Sequence, residues 1–202
     1  MTKKITTICC AVALLATTAA TPALSQSKNF AGPSAAINFQ TIGSETNVTI
    51  DGDNLGDVGK TDNIFGIDLS YSAPIDNKFL ITFGATYDLN KQDAGSFIGE
   101  VDLKIKDHYS LYLAPTFTVS DNTAVFLKGG YHKMKGEASY DGSSDSSKFS
   151  GWGYGAGIKT MLDKNLFLQA ELQYVDYGSE TEDGLKTDTN TSAGIVSLGY
   201  KF

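Results

Sequence analysis

Stretch after stretch of this chain alternates apolar residues with small or polar ones, and the last stretch ends the chain on an aromatic. A period of two is the mark of a β-strand, whose successive side chains point to opposite faces. In the final ten residues, Gly194, Val196, Leu198, Tyr200 and Phe202 share one face, while Ala193, Ile195, Ser197, Gly199 and Lys201 share the other. Left as an open edge, a strand tipped by Tyr200 and Phe202 would invite pairing with other chains. A strand that must zip to the first strand of a closed membrane barrel has a use for that tip.

The beginning of the chain points to the same compartment. Lys3 and Lys4 form a short positive segment, residues 5–20 are apolar or small, and Ala23 and Ser25 offer small residues before Gln26. Residues 1–25 read as a cleaved secretory signal peptide, leaving 26–202 as one domain. Both cysteines, Cys9 and Cys10, fall inside the signal, so the mature chain has neither a disulfide framework nor a thiol metal site. The formal net charge of −7 argues against nucleic acid, which needs a basic footprint. After the signal, no apolar run approaches the roughly 18 residues of a helical span.

Three polar turns, at Asp76–Lys78, Asp121–Asn122 and Asp163–Asn165, recur roughly forty residues apart, each followed by an alternating run. One tight turn and one long loop per repeat describe an up-and-down strand pair, and the whole chain then makes eight strands. The expected strands cover about 35–41, 64–73, 79–89, 101–117, 124–134, 150–159, 166–177 and the terminal stretch. Long polar loops are expected near 43–60, 90–99, 136–149 and 178–190. Alternation by itself does not say which face is wet. The glycines and aromatics do. Gly151, Gly153, Gly155 and Gly157 share a face that can build neither a soluble surface nor a hydrophobic core, but suits a crowded lumen. Tyr71, Phe79, Tyr87, Tyr109, Tyr131, Trp152, Tyr154 and Tyr174 gather near strand ends, as interfacial girdles do. The fold class is all-β: an eight-stranded antiparallel up-and-down transmembrane β-barrel facing lipid.

Specific motifs sharpen this reading. Gly151-Trp152-Gly153-Tyr154-Gly155-Ala156-Gly157, Asp163-Lys164-Asn165-Leu166 and the run 168–178 resemble the closing hairpin of the opacity-type porin family. Phe126–Tyr131 is similar to its fifth strand, and Leu198–Phe202 to its end. That outer-membrane family is related to the OmpA and OmpX barrels. The resemblance implies that Val196, Leu198, Tyr200 and Phe202 form a C-terminal signal read by the barrel assembly machinery. It also implies outer-membrane lipid and lipopolysaccharide as surroundings, a monomer, and members that serve as surface antigens, adhesins, envelope anchors or narrow pores.

The lumen face collects Asp68, Lys104, Lys128, Lys159 and Glu171. Buried charges need partners, so Lys128 is expected to pair with Glu171, Asp68 or both. An eight-stranded barrel is just filled by its own side chains, which favours a closed core over an ion path. His108 and Ser110 share a strand face, as in a His-x-Ser hydrolase of lipid A, with Asp88 or Glu171 as orienting carboxylate. Their parity points into the lumen, whereas acyl chains arrive from outside. The acidic segment 51–62 half-matches a calcium loop, but Leu55 breaks it. Neither metal, cofactor nor catalysis is expected. The sequence predicts an outer-membrane barrel with a structural or surface-interacting role carried by its loops. A narrow channel is the alternative, and the hydrolase a remote one.

Overall fold

The computed structural model describes residues 27–50, 53–97, 101–140, 143–182 and 185–202. The expected signal segment lies outside them. Nine β-elements follow in order: β1 (Gly32–Ile50), β2 (Asp53–Pro74), β3 (Phe79–Asp88), β4 (Gln92–Phe97), β5 (Val101–Thr118), β6 (Thr123–Tyr140), β7 (Ser143–Met161), β8 (Leu166–Glu182) and β9 (Leu185–Lys201). All pairings are antiparallel. Neighbours run β3-β2-β1-β9-β8-β7-β6-β5-β4, and β3 also pairs with β5. Thus β3 and β4 are two pieces of one barrel strand, and the sheet closes as eight strands through the β3–β5 pairing.

The break between those pieces keeps its backbone satisfied. The Phe65 amide donates to Asn90 Oδ1 at 2.7 Å, and Asn90 Nδ2 donates to the Asn63 carbonyl at 3.3 Å. A side-chain amide here stands in for a missing ladder rung. The last strand closes on the first through Ile37↔Leu198 and Phe39↔Val196, and the Phe202 amide donates to the Pro33 carbonyl at 2.9 Å.

The outer wall is apolar. Ile37, Leu69, Leu111, Leu113 and Leu127 are each more than half exposed. Their in-between neighbours, among them Asn38, Asp68, Ser110, Tyr112 and Lys128, are buried inside. That inversion is stable only with hydrocarbon outside. Glycines on the inner face make room for large side chains. A Cβ at Gly84 or Gly130 would press on Tyr112, at Gly153 on His132, at Gly157 on Phe126 and at Gly199 on Phe167.

Two expectations need correction. Among the described residues, the polar segments near 43–60, 136–149 and 178–190 are strand where long loops were expected, and β4 occupies 92–97 of the segment near 90–99. β1, β2 and β5 to β9 run for 17 to 22 residues, well past the roughly 9–11 that span a bilayer. Above the membrane both faces of a ribbon meet water, so the ladder continues without an apolar face to announce it. The second correction concerns parity in β5. Its register with β6 slips between Lys106 and Tyr109, and Asp107 takes a left-handed φ of 52°. This bulge places one extra residue in the strand. Ile105, expected outside with Tyr109, is therefore buried with Met134, Val175 and Tyr177, and Lys104, expected inside, is exposed.

Candidate functional site

The lumen is filled in layers. At the end bearing the short turns, a 3₁₀ turn, Ser27–Asn29, folds beneath the barrel. Ser27 donates from its amide to the Asn77 carbonyl at 2.8 Å and from Oγ to the Asp76 carbonyl at 2.6 Å, while Asn29 Nδ2 donates to the Asp121 carbonyl at 2.9 Å. Phe30, thereby held, enters the barrel mouth against Ala36, Leu80, Ala124, Met161 and Phe167. Nothing in the strand periodicity marked Phe30, because its segment belongs to no strand.

Above this cork lies the charged belt. Lys128 Nζ stands 3.1 Å from Glu171 Oε1, and the two side chains are only 5% and 1% exposed. Gln173 Nε2 adds a hydrogen bond to Glu171 at 3.3 Å. Asp68 does not take Lys128; both its oxygens accept from the Tyr112 hydroxyl, at 3.0 and 2.8 Å. Tyr112 still joins the acids to the cation, since Lys128 Nζ lies 4.3 Å from its ring centroid. Tyr112 was readable from its parity with Ser110 and from Gly84 and Gly130 facing it. Lys159 projects into the lumen nearer the cork, 4.3 Å over the Phe167 ring. Lys104 is outside the belt.

A third layer holds both histidines. His108 Nδ1 is 2.7 Å from Asp88 Oδ2, and His108 Nε2 is 3.1 Å from His132 Nδ1. The imidazole planes lie 14° apart. Gln40 Nε2 donates to the other Asp88 oxygen at 2.8 Å. Ser110, 1% exposed, shares a hydrogen bond with Thr86 at 2.7 Å. Higher still, Ile105, Met134, Val175 and Tyr177 form an apolar lid with Phe149 packed on it. Between the layers the described voids measure about 10 and 20 Å³, room for about one water each.

On the outside, aromatics meet across neighbouring strands: Tyr87 opposes Tyr109, Tyr131 opposes Trp152 and Tyr154 opposes Tyr174. Phe79 opposes Phe117 beside the short turns, and Tyr71 contacts Phe83 in that same half. Val196, Leu198, Tyr200 and Phe202 all face outward. Past the aromatics, Lys135 Nζ pairs with Asp107 Oδ2 at 2.7 Å, and Lys106 pairs with Glu137. Lys135, through its hydrogen bond and its charge, holds the Asp107 carboxyl below the usual carboxylate range.

A closed antiparallel barrel, apolar without and polar within, defines the class: a transmembrane β-barrel. The chain belongs to the outer membrane protein beta-barrel domain family, whose model matches residues 9–202. Among solved structures it is similar to Ail, the attachment invasion locus protein of Yersinia pestis, at 20% identity and a TM-score of 0.53, over 85% of this chain and 99% of that one. Ail in complex with the heparin analogue sucrose octasulfate matches at 19% identity and 0.50, over the same shares. Neisserial surface protein A matches at 16% identity and 0.49, over 83% of this chain and 99% of that one. No curated protein matches. The likeness to Ail speaks to fold alone, a closed β-barrel.

Proposed function

We propose that this barrel is a surface-interaction and envelope protein whose work is done outside the membrane, by its extended hairpins. The filled lumen carries the reading. A cork at Phe30, the Lys128–Glu171 belt, the histidine layer and the apolar lid occupy the described lumen in series, which favours a closed interior over an ion path. Catalysis through His108 and Ser110 is disfavoured for the same reason. Both ring nitrogens of His108 are engaged, and Ser110 is buried against Thr86 on the side away from lipid. The long ribbons, by contrast, project well past the aromatic band.

In this reading residues 1–25 are the secretory signal, and N-terminal sequencing of the membrane-purified protein starts at Gln26. Val196, Leu198, Tyr200 and Phe202 serve assembly, so removing Phe202 lowers the yield of folded barrel in cells. The decisive experiment has two arms on one preparation. Refolded mature protein, verified by its altered gel mobility before boiling, stays silent in a planar bilayer. Cells displaying it bind a host-cell or matrix layer, and lose that binding when residues 46–58 are replaced by a two-residue turn. Reproducible conductance steps that change with Lys128→Met or Glu171→Gln would instead establish a channel.

A further inference from the structure

Asp88, His108 and His132 stand in a row through the lumen, and the chain's only two histidines are both in it. The surface role proposed above uses none of the three. Asp88 offers two acceptor oxygens. Gln40 Nε2 donates to Oδ1 at 2.8 Å, and His108 Nδ1 stands 2.7 Å from Oδ2. An ionised carboxylate accepts and does not donate, so the proton of the second bond rides on His108 Nδ1. That leaves His108 Nε2 to face His132 Nδ1 at 3.1 Å, with one proton between them.

That single proton has two homes. With both rings neutral it belongs to His132 Nδ1, and His108 Nε2 accepts. With His108 an imidazolium it belongs to His108 Nε2, and His132 Nδ1 accepts. The second state holds one proton more, carried on His132 Nε2. Every hydrogen bond of the row survives the exchange, and only the last one reverses its direction. His132 Nε2 lies against Gly153, where a Cβ would crowd it.

The added charge also has an anion to settle beside. Asp88 is buried, and among the described residues His108 is its one ion-pair partner. The other lumen acids are already answered, Glu171 by Lys128 and Asp68 by the Tyr112 hydroxyl. Asp68, Lys128 and Glu171 line the void beside His108, and Tyr177 in the lid is near enough to feel the charge on Asp88. From β7 and β9 the layer meets Gly153, Ile195 and Ser197, none of them titratable. A cation on His108 therefore gives Asp88 the counter-charge that its neighbours do not.

We propose that Asp88, His108 and His132 form a proton-accepting relay, which takes up one proton as pH falls without opening the barrel. A proton from solvent binds His132 Nε2, and the shared proton passes from His132 Nδ1 to His108 Nε2. The row thereby goes from one net negative charge to none. A second proton breaks it, because two N–H groups then face each other across the ring-to-ring contact. The layer is a latch beneath the lid that tolerates one protonation and yields to two.

The test uses the full-length mature barrel, isotope-labelled and refolded in micelles. With two histidines in the chain, long-range proton–nitrogen spectra show two rings, assigned through His108→Gln and His132→Gln. As pH falls from about 8 to about 5, the expected result is one proton gained per barrel. His108 passes from one protonated nitrogen to two. In step with it, His132 stays neutral and its proton moves from Nδ1 to Nε2. The gel mobility of the folded barrel stays unchanged throughout. Asp88→Asn keeps an acceptor for His108 Nδ1 but removes the charge, and the paired change is lost. Asp163→Asn, in a short turn at the other end, leaves it intact. A second protonated nitrogen on His132 while His108 stays neutral overturns the relay. So do rings that hold their protons unchanged over the whole range, or that change only as the folded mobility is lost. None of these readouts involves the hairpins, so failure here is separable from failure of the surface-binding reading.

Discussion

Lys128 and Glu171 illustrate how costly a barrel interior is for a lone charge. Each is buried, and each is neutralised by the other at 3.1 Å. Glu171→Ala should cost about 3–5 kcal/mol, because it strands a buried ammonium, whereas Lys128→Met with Glu171→Leu should recover most of that loss. Urea titration of refolding in micelles, read by gel mobility, measures both. Gly199 makes a second test. A side chain there meets the Phe167 ring, so Gly199→Val should destabilise by about 1–3 kcal/mol, and Phe167→Ala should relieve the clash. Asp107 titrates below an ordinary aspartate, because Lys135 favours its charged form. The stability this pair adds is present above the unfolded-state pKa and fades as pH falls through the lower folded value. Lys135→Met returns Asp107 to the ordinary range in a carbon-detected NMR titration. Of these residues, parity and height put Lys128 level with both Glu171 and Asp68 and left open which of them it takes. The Asp68–Tyr112 bond did not follow from them, because a phenol and an ammonium at one level compete for a carboxylate on geometry that alternation does not encode.

At the scale of the strand, alternation was a faithful guide wherever one face met lipid and the other the lumen. It went silent above the aromatics, where β1 and β2 continue to Ile50 and from Asp53 without an apolar face. It misled at β5, where the bulge at Asp107 exchanged the faces of Lys104 and Ile105. A one-residue insertion flips every later side chain, and only an apolar residue landing in water would expose it. Here Ile105 landed in the lid instead. The hairpins outside the membrane add ladder but no lipid-facing surface. Replacing residues 46–58 by a tight turn should therefore leave the heat-modifiable gel shift of the barrel intact.

For the molecule as a whole, closure was legible because three turns and alternating runs counted out eight strands, and the last strand needed a partner. The sealing of the mouth was not, since Phe30 carries no periodic signal. The cork also has a temporal meaning. Its pocket draws Ala36 from β1, Leu80 from β3, Ala124 from β6, Met161 from β7 and Phe167 from β8, so it exists only once the ring is complete. The Ser27 amide, bound to Asn77 in the β2–β3 turn, is then a clock hand for assembly. In pulse-labelled hydrogen exchange during refolding, Ser27 should gain protection no earlier than the Phe202 amide that closes β9 on β1. A barrel whose Ser27 is protected is one that has finished.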